Sequence, residues 1–293
     1  MTFAHTLTQR IEHERLLDSV AVPLAALVHK VVGARRVRNL LSGTALGHPA
    51  HPALTHLPIG TWSAAAVLDT VGGRRAAPYA DLFVALGVLT AVPTALTGLN
   101  DWSDTGGEPA PRRIGVVHAA ANSTALALYT CSLVARCKGK PYKGRMLGYA
   151  GFGALMAGAY LGGHLAFANA VNVNQTAFED RPLGWTPVLA DAELAEGASR
   201  KAAAGETAVL LHRRAGQVYA VSATCTHMGG PLEEGHVKDG CVTCPWHGST
   251  FDLTDGQVVR GPATAPEPAY ETRVREGLIE VRAADSGRGP VLA

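Results

Sequence analysis

Hydrophobic and polar positions alternate in two different ways along the 293 residues, and the change falls near residue 184. Before it, long apolar runs are separated by short polar clusters. After it, short β-type runs are separated by Gly, Pro, Asn and Asp. The first pattern predicts four helical spans at about 53–73, 79–99, 114–135 and 146–170. Each is close to the ~20 residues that carry a helix across a bilayer. Asp69 lies in the first span and Asp81 and Pro93 in the second, while the last two carry no formal charge. The competing reading, a water-soluble bundle, would require a polar face on each helix. Small residues recur four apart at Gly87, Ala91, Ala95 and at Ala154, Gly158, Gly162. Such stripes are expected to let membrane helices approach closely. Ahead of the spans, residues 1–45 mix Val20, Val22, Leu24 and Leu27 with Lys30, Arg35, Arg36 and Arg38. That mixture suits an amphipathic segment lying on a membrane surface.

The second pattern predicts a small all-β domain. Thr207–Leu211 and Gln217–Val221 flank Arg214-Ala215-Gly216, Asp239-Gly240 marks another turn, and Glu276-Gly277 joins a last hairpin. The expected organisation is multidomain: an amphipathic segment (1–45), an all-α four-helix transmembrane bundle (46–171), a linker (172–184), an all-β domain (185–283) and a tail (284–293).

Composition sharpens this division. Apolar residues make up 47% and charged residues 17% of the chain, which excludes a disordered polymer. A net charge of +2 excludes bulk attraction to nucleic acid. Residues 1–184 carry a net +6 and residues 185–293 a net −4. A mean hydropathy of +0.10 is therefore the average of an apolar half and a water-soluble half. Five cysteines are too few for a disulfide scaffold.

The β half holds the clearest chemistry. Cys225-Thr226-His227 is followed, after 16 intervening residues, by Cys244-Pro245-Trp246-His247. Cys₂His₂ sets also bind zinc, but zinc fingers pair Cys with Cys and His with His. Here each loop offers one thiolate and one imidazole, which suits a [2Fe-2S] cluster with cysteines on one iron and histidines on the other. The flanks C-T-H-M-G-G-P-L and C-P-W-H-G-S-T-F-D resemble the cluster-binding loops of the Rieske iron–sulfur family over residues 185–283.

The resemblance implies Cys225, Cys244, His227 and His247 as cluster ligands. It implies Gly229, Gly248 and Ser249 as residues that tune the cluster, the glycines by letting backbone N–H groups approach the sulfides. High-potential relatives carry an extra disulfide-bonded cysteine in each loop. Those positions are Gly230 and Trp246 here, and the relatives' tyrosine is Phe251. The departures place the expected potential toward the lower part of the Rieske range of roughly −150 to +300 mV. Only 46 residues follow His247, with no histidine among them, so the reading expects no mononuclear-iron oxygenase domain.

The apolar half opens with H-P-A-H-P-A-L-T-H-L-P-I-G from His48. This opening resembles an uncharacterised family of small bacterial four-helix membrane domains, sometimes fused to Rieske domains. Four spans would bring His48, His51, His56, His118 and His164 to one face with Asp101 and Arg113, with His118 able to reach Asp101 and His164 the first candidate for a ligand. Three readings stay open: polar packing, a haem (haem b) or metal site, and a quinone site.

The expected function is a membrane-anchored one-electron carrier that serves a redox partner protein or a small donor or acceptor. The alternatives are a quinone-linked oxidoreductase and a cluster-based redox sensor. The cluster domain is expected on the cytoplasmic side, because clusters are assembled there and Arg35-Arg36 lacks the apolar stretch of a twin-arginine signal.

Overall fold

The computed structural model describes residues 3–105 and 108–284. The predicted tail 284–293 lies outside the described residues, apart from Ala284. Contacts divide the chain into a helical unit (residues 1–43 and 49–171) and a β-rich unit (residues 44–48 and 172–293).

The helical unit begins with α1 (Phe3–His13), α2 (Asp18–Val31) and α3 (Arg35–Ser42). The long helices follow: α4 (Ala50–Val71), α5 (Gly73–Ser103), α6 (Pro109–Cys137) and α7 (Pro141–Phe167). Proline opens α6 and α7, where its missing N–H costs nothing. Among the described residues, α5 is the one helix long and apolar enough, by composition, to cross a membrane. The long helices extend past the apolar runs into polar sequence, because helical hydrogen bonding is not confined to apolar residues. α4 and α6 each pack on both α5 and α7, so they face one another across the bundle diagonal. The centre is apolar, with Trp62 stacked on Tyr129 at a 4.1 Å ring separation.

The glycine positions sit where neighbouring helices approach closely, and they also admit particular side chains. A Cβ on Gly87 would fall 2.2 Å from the Trp62 indole, one on Gly158 would fall 2.6 Å from Asn122, and one on Gly162 would fall 3.0 Å from His118. These glycines are slots that receive bulky side chains from neighbouring helices.

The N-terminal helices pack on the bundle: α1 on α6, α2 on α5 and α6, and α3 on α5. Arg38, expected at a membrane surface, is fully buried. It pairs with Asp104 and donates to Asn100 Oδ1 at 3.1 Å. Asp18 accepts from Arg112 at 2.9 Å and from Arg113 at 2.6 Å. These guanidinium hydrogen bonds, Arg113 foremost, lower the Asp18 carboxyl to about 2. A carboxylate with a depressed folded-state value contributes stability in full above its ordinary value of 3.8 and loses it as pH falls through 2. Acid titration of the detergent-solubilised protein, followed by circular dichroism, should therefore show a loss of stability between these values. Asp18→Asn should abolish that part of the profile.

The β-rich unit is antiparallel throughout. β1 (Thr186–Ala190), β2 (Ser199–Ala204), β3 (Thr207–Arg214) and β4 (Gln217–Ser222) precede the small strands. These are β5 (His236–Lys238), β6 (Cys241–Thr243), β7 (Thr250–Asp252) and β8 (Val258–Arg260). β9 (Ala269–Arg275) and β10 (Leu278–Ala283) complete it. One sheet has the order β1-β10-β9-β4-β3-β2 and the other β5-β6-β7-β8. The β3–β4 and β5–β6 hairpins turn on two residues with positive φ, Ala215-Gly216 and Asp239-Gly240. That is the turn whose twist matches the strands.

Residues 172–184, expected as a linker, are hydrogen-bonded into this unit. Gln175 N–H donates to Thr226 O, Ser222 Oγ to Glu179, and Thr207 Oγ1 to Asp180 O. Turn-rich composition revealed the lack of regular structure there but not these contacts.

Candidate metal centre

The four expected donors stand on two loops, one after β4 and one between β6 and β7. The loops share one construction. Gly229 N–H donates to Cys225 O at 2.9 Å, and Cys225 N–H donates to Gly230 O at 2.9 Å. In the second loop Gly248 N–H donates to Cys244 O at 3.1 Å, and Cys244 N–H donates to Ser249 O at 2.8 Å. Gly229 and Gly248 have φ of +76° and +73°, a conformation that strains any residue with a Cβ. The absence of a Cβ at both positions is what the expected approach of backbone N–H groups to a cluster requires. The N–H groups of Gly229 and Gly248 close the loops, because the tight turn brings the cysteine carbonyl within reach.

Burial grades across the site. Cys225 and Cys244 belong to an apolar core with Leu210, Val221, Leu232, Val242 and Phe251. His227 is buried and His247 half-buried. The two thiols lie side by side. Contact with Cys225 lowers Cys244 to about 7, aided by the N–H groups of Trp246 and His247 and opposed by burial. None of the five cysteines forms a disulfide. Trp246 lies against Gly230, where a Cβ would meet its indole at 3.2 Å and Cys244 Sγ at 2.7 Å.

The imidazole pair has the spacing of two ligands on one tetrahedral ion. Two imidazoles on one tetrahedral ion, with bonds of ~2.1 Å, have ring centres about 5 Å apart. The His227 and His247 rings are 5.2 Å apart and nearly perpendicular. Among the described residues no three His, Cys, Asp or Glu side chains converge as ligands of a single ion. Two thiols together and two imidazoles together fit a two-iron centre.

A third segment, residues 261–267, braces both loops and had no signal in the sequence. Ala263 N–H donates to Ser249 Oγ at 3.0 Å, and Thr226 Oγ1 donates to Ala265 O at 3.0 Å. Thr226 N–H, between two of the donors, donates to Glu267 Oε1 at 2.6 Å. Burial holds the Glu267 carboxyl well above the usual carboxylate range. Glu267→Gln keeps an acceptor for the Thr226 N–H and should leave stability within about 1 kcal/mol, whereas Glu267→Ala strands a buried N–H at a cost of about 1–3 kcal/mol. Denaturant melts followed by visible absorption would measure both.

Comparison with known proteins agrees with this geometry. The description "Rieske [2Fe-2S] domain" matches residues 184–275. The ferredoxin subunit of anthranilate 1,2-dioxygenase from Burkholderia cepacia is 33% identical over 97 residues, covering 33% of this chain and 90% of that protein. The chain belongs to the Rieske [2Fe-2S] family. Ferredoxin CarAc of Metapseudomonas resinovorans is 32% identical over 98 residues, 33% of this chain and 92% of its own. The cytochrome b6-f complex iron-sulfur subunit of Chlorobaculum tepidum is 33% identical over 76 residues, 26% of this chain and 41% of its own. A second description, "Predicted membrane protein (DUF2231)", matches residues 47–175. The Rieske domain implies a [2Fe-2S] cluster and electron transfer as its chemistry.

The histidines of the helical unit do not form one group. His51 and His118 meet, with ring centres 6.4 Å apart. His56 is exposed and bonded to Ala53 O of its own helix at 3.2 Å. His164 Nε2 is 2.9 Å from Glu12 Oε1 on α1. His118 bonds Gly158 O at 2.8 Å rather than Asp101, because α7 lies beside it.

Proposed function

We propose that the chain is a membrane-anchored one-electron-transfer protein. Cys225 and Cys244 would hold one iron of a [2Fe-2S] cluster, and His227 and His247 the other. The observation that carries this reading is the pairing of two buried thiols with two imidazoles 5.2 Å apart on loops of identical closure. When bound, the cluster accepts and releases one electron at a time. The chain's own residues bury the sulfur side in an apolar core and leave the imidazole side nearer solvent. The exposed Trp246 beside His247 would give a redox partner an apolar contact there. The ferredoxin names of the relatives support a protein partner, such as an oxygenase or another redox enzyme.

Membrane anchoring is supported by the DUF2231 match and by Leu82, Leu86, Leu89, Val92 and Leu96, which α5 leaves exposed. A contiguous apolar surface of that kind asks for lipid or protein cover. The cluster domain would face the cytoplasm.

Two features support a potential in the lower part of the Rieske range. Phe251 is fully buried and has no hydroxyl to donate, and no disulfide joins the loops. A redox titration of the full chain in detergent, followed by electron paramagnetic resonance, should give a midpoint well below the middle of the roughly −150 to +300 mV range. A midpoint near the top of that range would overturn the low-potential assignment.

A further inference from the structure

We propose that His51 and His118 are the two opposed ligands of a second metal centre, a haem iron or a bare transition-metal ion, inside the helical bundle. The role of such a centre in electron transfer rests on the reading above, but its existence does not. His51 stands in the first turn of α4 and His118 in the third turn of α6. These helices face each other across the bundle diagonal, so the imidazoles meet in its interior. The other two helices orient them. His51 Nδ1 is 2.9 Å from Thr94 O on α5, and His118 Nδ1 is 2.8 Å from Gly158 O on α7. A carbonyl can only accept, so each Nδ1 carries the proton and each Nε2 of the neutral ring keeps its lone pair. That tautomer is the one a metal-binding histidine adopts when its second nitrogen is anchored.

The seating of both rings is tight. A Cβ on Gly98 would fall 2.6 Å from His51 Cε1, and one on Gly162 would fall 3.0 Å from His118 Cε1. Asn122 Nδ2 lies 3.4 Å from His118 Nδ1 and 3.2 Å from its Nε2. Near-equal distances to two nitrogens whose lone pairs diverge place the amide over the ring face, and Asn122 donates to His118 O at 2.9 Å. The in-plane direction at Nε2 is thus not spent on the amide.

The spacing fits opposed ligands. Two imidazoles on opposite sides of one metal, with bonds of ~2.0–2.1 Å, have ring centres about 6 Å apart, against about 5 Å for a tetrahedral pair. The His51–His118 separation is 6.4 Å with the rings 85° apart, and the Rieske pair, by contrast, is at 5.2 Å. Among the described residues no third His, Cys, Asp or Glu joins them. Opposed imidazoles with no further protein ligand suit a haem iron, whose macrocycle supplies the other positions, or a two-coordinate ion such as Cu(I).

The test uses the full chain, purified in detergent from cells supplied with iron, copper and a haem precursor. A pyridine haemochrome assay, the visible spectrum and metal analysis are compared with the Rieske paramagnetic signal. The expected result is about one equivalent of haem, or of one metal beyond the two cluster irons. His51→Ala and His118→Ala should each lose it while the Rieske signal remains. His118→Met should retain it with a shifted spectrum, and His56→Ala should leave it unchanged. A wild-type protein with a full Rieske signal, two irons, no haem and no other metal overturns the inference, as does a centre that survives both alanine substitutions. A wild-type protein with the second centre but no Rieske signal upholds this inference and overturns the cluster assignment.

Discussion

Cys244→Ser should yield a colourless protein without a Rieske paramagnetic signal, and Cys225→Ser should do the same. Each thiol has a fixed position. Cys244 is tied by its own N–H and C=O to Ser249 and Gly248, and Cys225 in the same way to Gly230 and Gly229. A serine oxygen at either place is a harder, less polarisable donor that must lose a far more tightly held proton. The loss should exceed the roughly 10–100-fold in metal affinity that substitutions of supporting residues around a metal site cause. Both side chains also lie in the apolar core with Leu210 and Phe251, so cluster binding and folding are coupled and the melting temperature should fall as well. Cys131→Ser and Cys137→Ser alter exposed thiols and should retain full absorption. A Cys244→Ser protein that still shows the wild-type signal would remove Cys244 from the ligand set.

Arg136→Met is the substitution expected to destabilise the helical unit most. The Arg136 guanidinium is nearly fully buried where all four long helices meet. It pairs with Asp69 of α4 and with Asp81 of α5 at 2.8 Å, and Nε bonds Ser132 Oγ at 3.1 Å. Ser132 in turn donates to Gly144 O of α7 at 2.6 Å. A Cβ on Gly144 would press on Arg136 Cγ at 2.5 Å, so glycine is what admits the side chain. Methionine fills much of that volume but leaves the buried Asp69 carboxylate without its main partner. Breaking one side of a buried ion pair costs about 3–5 kcal/mol. Arg145 Nε, 3.4 Å from Asp69, would offset part of this and moves the expectation toward the lower figure. Asp81 is 44% exposed and regains water. The double variant Asp69→Asn with Arg136→Met should recover much of the loss. Thermal melts in detergent would measure both, and equal melting temperatures for the single variant and the wild type would refute the argument.

The two regions were legible in the sequence to different depths. The cluster loops were readable because their chemistry is local. Two donors stand within a few residues of each other in each loop, and the glycine that closes each turn lies beside them. The β-hairpins were readable for the same reason, through two-residue turns such as Ala215-Gly216. The residues that brace the loops were not. Glu267 lies 20 positions beyond His247, and only the fold brings its carboxyl to the Thr226 N–H. Arg38 was read as a surface charge because its partner Asp104 lies 66 residues away.

The sequence by itself determined the kind of chemistry and the division of the chain. Donor types, their spacing and the long apolar runs are properties of neighbouring residues, and no folding is needed to see them. The tertiary structure decided which side chains meet. Among the histidines at 51, 56, 118 and 164 it selected one pair. The ring of His51 fits against Gly98 and that of His118 against Gly162, while His56 turns back on its own helix and His164 pairs with Glu12. The physical reason is that helix packing is set by the shapes of facing side chains. A glycine becomes a slot only when a particular ring from another helix arrives opposite it.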